Sequence, residues 1–305
     1  MTSTDGGVGH PPATWWLSEP EGHRDATLIF RGQWDDEVRA GWIAAGRPRV
    51  SFIPGATDDL DWVPESGITR LIVVGVVGDD SGIERATDLE ELELSTSCTA
   101  RLDLSNLVGL RRLSAPDRCD GLDATALEWL HLSDYASEDL GGLPIAQLRL
   151  LRVMPARRLR RIDALAKGVN LHHIGLGWTR VDDWSVLAAC QRLRELELVS
   201  CPGLRNLNVV AALPELMSIE LDGCRNLTSL RPLAAASKLQ YVAIRGQTGV
   251  VDGHLEFLLD LPSIRLVAVE RMPRGSDLSP ARLRAWRAQQ FDQGEAFANT
   301  YDARA

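Results

Sequence analysis

Residues 171–176 read LHHIGL, 193–198 LRELEL, 216–221 LMSIEL and 239–244 LQYVAI. They share the phrase Leu-x-x-Leu-x-Leu, or an aliphatic equivalent, at spacings of 22, 23 and 23 residues. A period of that length, kept over several units, marks a stacked array and not a single globular core. In a short strand alternate side chains point to opposite faces. Positions four and six of the phrase therefore turn inward, and positions three, five and seven turn outward. No unit hides its leucines alone; the next unit hides them. Parallel strands need a return path across the other face. A second apolar series supplies it, as in Cys201, Leu204, Leu207, Val210 and Leu213, then Cys224, Leu227, Leu230 and Leu233.

Followed backward from Leu176, the sixth position falls on Leu150, Leu132, Ala115, Leu94 and Val73. Forward it falls on Leu198, Leu221, Ile244 and Val269, and Phe52 and Phe30 extend it upstream. The step from Leu150 to Leu176 is 26 residues, after steps of 17 and 18, which predicts an insertion or kink between Ala115 and Leu171. The expected organisation is a single-domain solenoid in four segments. Residues 1–26 are disordered or loosely packed, 27–67 form N-terminal capping units, 68–271 form the array, and 272–305 form a capping helix and tail. A helix is predicted over 35–46, with Val38 and Trp42 one turn apart. A second is predicted after Ser279 as N-cap and Pro280 at the first helical position, with Leu283 and Trp286 closing the last unit. The first dozen residues and those from about Gly294 are expected to be disordered.

The pattern resembles the leucine-rich-repeat family, and within it the short bacterial repeat of internalins. In that repeat the strand is followed by a phrase like Ile-x-Asp-Ile-x-Pro-Leu-x-x-Leu-x-x-Leu. The matching segments are LRRIDALAKGVNL (159–171), VDDWSVLAACQRL (181–193) and LTSLRPLAAASKL (227–239). The resemblance implies an α/β solenoid: a right-handed superhelix with a parallel concave β-sheet and short helical turns on the convex side. It also implies a role in protein recognition on the concave face. The asparagine usual after the strand is replaced by Thr179, Cys201, Cys224 and Gln247, so a partial cysteine ladder is expected.

The chain has 305 residues, 45% of them hydrophobic and 25% charged, an ordinary soluble composition. Its longest apolar run, Leu71 to Val77, falls short of the roughly 18 residues that a membrane span needs. The N-terminus lacks the basic and apolar regions of a secretory signal, and five scattered cysteines make no disulfide framework. A cytoplasmic protein with reduced thiols is expected. Arginine is abundant and Lys167 and Lys238 are the lysines, a bias that points to a GC-rich bacterial source. The net charge is −9; residues 1–100 hold 18 acidic and 7 basic side chains, a balance of −11, which leaves +2 for the rest. Such a chain lacks the basic stripe that phosphate contacts need, so a nucleic-acid partner is not expected.

Four groups of residues stand out. The cysteines have no paired ligand spacing, and Cys201 and Cys224 share one phase, so packing explains them better than metal binding or catalysis. No cofactor or metal is expected. His173 falls at an outward position, as does His131 two units earlier, and Trp129, Arg149 and Trp178 fall in the same region. Aromatic residues and arginine are the types that anchor interfaces, and Tyr241 joins them on its own strand. Glu195, Glu197, Glu220 and Asp222 occupy neighbouring outward positions. Parallel strands lie only about 4.8 Å apart, so a basic partner would relieve their repulsion. Glu91 and Glu93 make a smaller copy. Arg157, Arg158, Arg160 and Arg161 lie on the return path or in the insertion, where solvation explains them.

The function expected is non-catalytic binding of a protein partner, with a basic partner as the electrostatic complement; nothing in the sequence sets an oligomeric state. An immunity-type protein that neutralises a basic toxin is a narrower form of the same reading. The alternative from another class is an enzyme with a concave-face site around His131, Arg149 and His173, which requires those side chains to meet in a pocket. A ubiquitin-ligase effector is not expected, because the roughly 30 residues after the last repeat hold no cysteine nucleophile.

Overall fold

The computed structural model describes residues 14–18, 26–55, 58–94 and 101–292. They form two compact units divided between Ala126 and Leu127, so the boundary falls inside the array expected for 68–271. The disorder expected at the first dozen residues and from Gly294, and Cys98, lie outside the described residues.

In the first unit, strand β1 (Thr14–Leu17) pairs antiparallel with β2 (Thr27–Arg31). Residues 14–17, expected in a disordered or loosely packed segment, are therefore an ordered edge strand. From β2 onward the pairing is parallel through β3 (Arg49–Phe52), β4 (Arg70–Val73), β5 (Glu91–Leu94) and β7 (Arg112–Pro116). Two short strands, β6 (Leu102–Asp103) and β8 (Cys119–Asp120), pair apart from this sheet. Helix α1 (Asp36–Ala44) occupies the predicted stretch, with Asp35 as N-cap accepting from the amides of Glu37 at 3.1 Å and Val38 at 2.9 Å. It buries Val38 and Trp42. The space an ordinary repeat fills with leucine is filled here by rings. Phe30 stacks on Phe52 at 4.8 Å and Trp34 on Trp62 at 5.2 Å, the offset packing that aromatic pairs favour. Helix α2 (Val63–Ser66) and a short 3-10 helix, Ser81–Arg85, complete the return paths.

The second unit has seven parallel strands in chain order: β9 (Trp129–Ser133), β10 (Leu150–Val153), β11 (His173–Gly177), β12 (Glu195–Val199), β13 (Ser218–Asp222), β14 (Tyr241–Arg245) and β15 (Leu266–Val269). From β10 onward, return paths carry the 3-10 helices Asp163–Lys167, Ser185–Ala189, Asn208–Ala212, Arg231–Ala235 and Glu256–Asp260, where the second apolar series predicts loose turns. Helix α3 (Pro280–Asp292) closes the end. The Arg282 amide donates to Ser279 Oγ at 3.1 Å, and Leu283 and Trp286 are buried. The inward line runs Leu132, Val153, Leu176, Leu198, Leu221, Ile244 and Val269. Burying one such side chain is worth about 1.5–3 kcal/mol, realised only through its neighbours in the stack.

This line corrects the phase at one strand. Val153, and not Leu150, pairs with Leu132 and Leu176. The repeat phrase there is LRLLRV at 148–153, three residues along from the phrase that ends on Leu150. The spacings become 21 and 23 residues, and the 26-residue unit disappears. Arg157, Arg158, Arg160 and Arg161 lie exposed on an ordinary return path, with Arg161 paired to Asp139 at 2.8 Å.

The residue after several strands takes the left-handed conformation: Asp134, Trp178, Ser200, Gly223 and Gly246, with φ between 51° and 63°. The turn feeds its amide into the next strand, as Trp178 N–H does to Val199 O at 2.6 Å. Behind the turn runs the ladder that replaces asparagine. Cys201 Sγ donates to Leu176 O at 3.6 Å, Cys224 Sγ to Leu198 O at 3.4 Å and Thr248 Oγ1 to Leu221 O at 3.0 Å. Thr179 is buried beside Cys201, at 3.6 Å. Thr248 fills the slot expected of Gln247, which is exposed, because this turn holds one extra residue.

Candidate functional site

On the open face of the second unit, register aligns the outward side chains in rows. One row runs Trp129, Leu150, His173, Glu195, Ser218, Tyr241 and Leu266. The next runs His131, Arg152, Gly175, Glu197, Glu220, Ala243 and Ala268. A third holds Gly177, Val199, Asp222 and Arg245.

The centre is an ion-pair crosspiece. Arg152 on β10 reaches over β11 to Glu197 on β12, with Nε 3.2 Å from Oε2 and Nη2 3.1 Å from Oε1. Two strand spacings are about 9.6 Å, a span the Arg152 guanidinium crosses here directly over the strand between. Gly175 lies beneath it. A methyl group there would sit 2.9 Å from Arg152 Cγ and 3.1 Å from Glu197 Oε2. His173 lies beside this pair, nearly buried, with Nδ1 2.8 Å from Glu195 Oε2 and Nε2 3.9 Å from Glu197 Oε2. Arg245 Nε is 3.2 Å from Glu220 Oε1.

His131 stands edge-on to Trp129, ring centres 6.4 Å apart. Burial pushes its imidazole down to about 4, and the Arg152 charge adds to that against the opposing pull of Glu197. At neutral pH it is uncharged. Trp178, exposed to 42%, follows β11 in the left-handed turn.

The structure thus brings Trp129, His131, His173, Glu195, Glu197, Glu220, Asp222 and Tyr241 onto one face and sets Trp178 at its edge. Arg149 does not join them. It precedes β10, and its guanidinium pairs with Glu128 at 3.2 Å. Its place is taken by Arg152, three residues on, for the same reason that Val153 replaces Leu150. The acidic cluster is also not left for a partner to neutralise, because Arg152, Arg245 and His173 contact three of its four carboxylates. Nor do His131, Arg149 and His173 meet in a pocket: the histidines lie two strands apart, in different rows. Clefts of about 520 and 730 Å³ lie elsewhere, at residues 246–251 with 271–274 and at 182–188 with 203–209, and none of the residues named for the face lines them.

Among the described residues no group of three histidine, cysteine or acidic side chains is placed to hold a metal, and no helix is long and apolar enough to cross a membrane. Burial pushes the thiols of Cys119 and Cys190 up, to about 12 and about 11. Cys224 is raised further by its neighbour Cys201 and by burial. Raised in this way, the thiols of Cys119, Cys190 and Cys224 stay protonated at neutral pH.

No family model matches the sequence, and no curated protein matches it. Solved structures do. Internalin InlF of Listeria monocytogenes superposes with a TM-score of 0.55 at 17% identity, over 80% of this chain and 73% of that one. The functional domain of InlJ from the same organism, described as including a cysteine ladder, gives 0.52 at 14% identity, over 79% of this chain and 53% of that one. The chain therefore has the leucine-rich-repeat solenoid fold, of the short-repeat kind seen in internalins.

Proposed function

We propose that the protein is a non-catalytic recognition module that binds a protein partner on the open face of β9–β14. The observation that carries this reading is Trp178. A bulky residue in the left-handed region costs about 1–2 kcal/mol, and this one is held there with 42% of its surface in water. The turn recurs after other strands and needs no tryptophan; an interface does gain from an exposed one, since tryptophan, tyrosine and arginine are the usual anchors. Trp178, Trp129, Tyr241 and Arg152 supply all three types around one face. The face still favours a basic partner after its internal pairing, because it holds four carboxylates, Glu195, Glu197, Glu220 and Asp222, to two guanidinium groups, Arg152 and Arg245. Charge of this kind steers encounter and selects partners more than it adds affinity.

The test is capture from the native cell by the tagged chain, compared with two variants. Trp178→Ala combined with Glu220→Lys is expected to lower recovery of the captured protein at least tenfold. Arg231→Glu, on a return path, is expected to leave it unchanged. Equal recovery by all three would overturn the assignment to this face.

A further inference from the structure

The open face of the first unit has the opposite character. Register places Arg49, Arg70, Glu91 and Arg112 in one line across β3, β4, β5 and β7. Glu91 takes Arg49 Nη2 at 2.8 Å, across the intervening strand, and Arg112 Nε lies 3.8 Å from it. Three guanidinium groups thus line up with one carboxylate. With Arg31 on β2 and Glu93 on β5, the outward positions of these strands hold four arginines to two glutamates among the described residues. This occurs in the acidic part of the chain: three of the seven basic residues among residues 1–100 are gathered on this one face. Glu91 and Glu93, which the sequence presents as a small acidic patch, are the minority charge there.

An apolar line runs beside the arginines. Trp16 pairs with Ile29, Ile29 with Ser51, and Ser51 with Ile72. Trp16 is 42% exposed, and Ile29 and Ile72 are half-buried. Val74, just past β4, is equally exposed at 42%. Arginine clusters recognise carboxylates through paired, planar hydrogen bonds, and an exposed tryptophan on the edge strand beside an isoleucine is an anchor site for an apolar side chain. A polyanion such as RNA would meet this positive surplus but also the negative balance of the rest of the unit; a short acidic segment meets the face alone.

We propose that the open face of β1–β5 and β7 is a second docking surface, which takes an acidic protein segment carrying an apolar anchor. The carboxylates would lie along Arg49, Arg70 and Arg112, and the apolar side chain on Trp16, Ile29 and Ile72. This rests on charges and side chains of the first unit only, so it stands or falls separately from the proposal for β9–β14.

The probe is a fluorescent peptide of alternating aspartate and leucine, with two controls: the same peptide with asparagine for aspartate, and a uridine oligonucleotide of equal length. Fluorescence polarisation with the full chain should show binding of the acidic peptide that weakens as salt is raised. Arg70→Glu with Arg112→Glu should weaken it at least tenfold, and Trp16→Ala about tenfold. Arg231→Glu, on a return path of the second unit, should leave it unchanged. Arg112→Gln, a mild change at a half-exposed site, should weaken it severalfold and guards against a folding defect in the double variant. Equal binding of the asparagine peptide, tighter binding of the oligonucleotide, or indifference to the arginine changes would overturn the proposal.

Discussion

Lowering the pH should cost the protein stability through His131 on the face of β9–β14. Its imidazole is held at about 4 against an ordinary value of 6.5, first by burial and then by the Arg152 guanidinium. The folded state therefore binds a proton less readily than the unfolded chain. Between pH 6.5 and about 4 the unfolded chain holds more proton, so stability rises with pH across that window. The contribution is fully present above 6.5 and is lost as pH falls towards 4. At ~1.36 kcal/mol per pH unit the gap corresponds to about 3 kcal/mol, and screening of the exposed part of the ring reduces it to about 2 kcal/mol. The assay has two arms. In the first, the imidazole proton resonance, assigned by its disappearance in His131→Gln, is followed through a pH titration; a midpoint near 4 is expected. In the second, urea denaturation at pH 7.5 and 4.5 compares the wild type with His131→Gln. The wild type should lose about 2 kcal/mol more than the variant. A titration midpoint at or above 6.5, or equal losses in the two proteins, would refute this account of how Arg152 and burial set the face.

Three further outcomes follow from the stacking and its turns. Leu198→Ala, at a fully buried rung of the inward line, should cost about 3–5 kcal/mol in urea denaturation, because both neighbouring units lose contacts. Ser200→Gly and Gly246→Ala should have opposite signs. The first relieves a non-glycine residue at φ 51° and should raise stability by about 1 kcal/mol; the second puts a methyl group at φ 56° against the Asp222 carboxylate and should lower it by about 1–3 kcal/mol in the same measurement. In a Cys98→Ser background the native chain should show no reaction with a thiol-specific disulfide reagent within minutes, and full reaction of Cys119, Cys190, Cys201 and Cys224 in denaturant. All four are buried.

The architecture was legible from the sequence because the leucine phrase and its return path leave one solution: Leu176, Leu198, Leu221 and Ile244 form neighbouring parallel rungs, as their spacing requires. Where the spacing is ambiguous the reading slipped. LRLLRV at 148–153 offers leucines at 148, 150 and 151, and alternation alone fits either register. The structure selects Leu151 and Val153, and that choice decides which arginine faces outward. A shift by an odd number of residues, here three, exchanges the faces of a strand, which is why Arg152 and not Arg149 faces outward. Gly175 carried the missing signal, since a glycine at an outward strand position marks close approach by something else. The Gln247 slip is of the same kind, an extra residue in one turn. Charge was harder to read. Pairing across two strands, as between Arg152 and Glu197 or Arg49 and Glu91, depends on side-chain reach over intervening strands, and no count along the chain reveals it. The acidic N-terminal balance hid a basic face for the same reason.

The central claim is that side chains of the open face of β9–β14, not the return paths, meet the partner. Hydroxyl-radical footprinting of the full chain with and without its captured partner measures this directly. Oxidation of Trp129, Trp178 and Tyr241 should fall several-fold in the complex, while the exposed Val169 on a return path is oxidised as before. Unchanged oxidation of all three aromatic residues, with protection at residues 185–189, 208–212 and 231–235 instead, would contradict it.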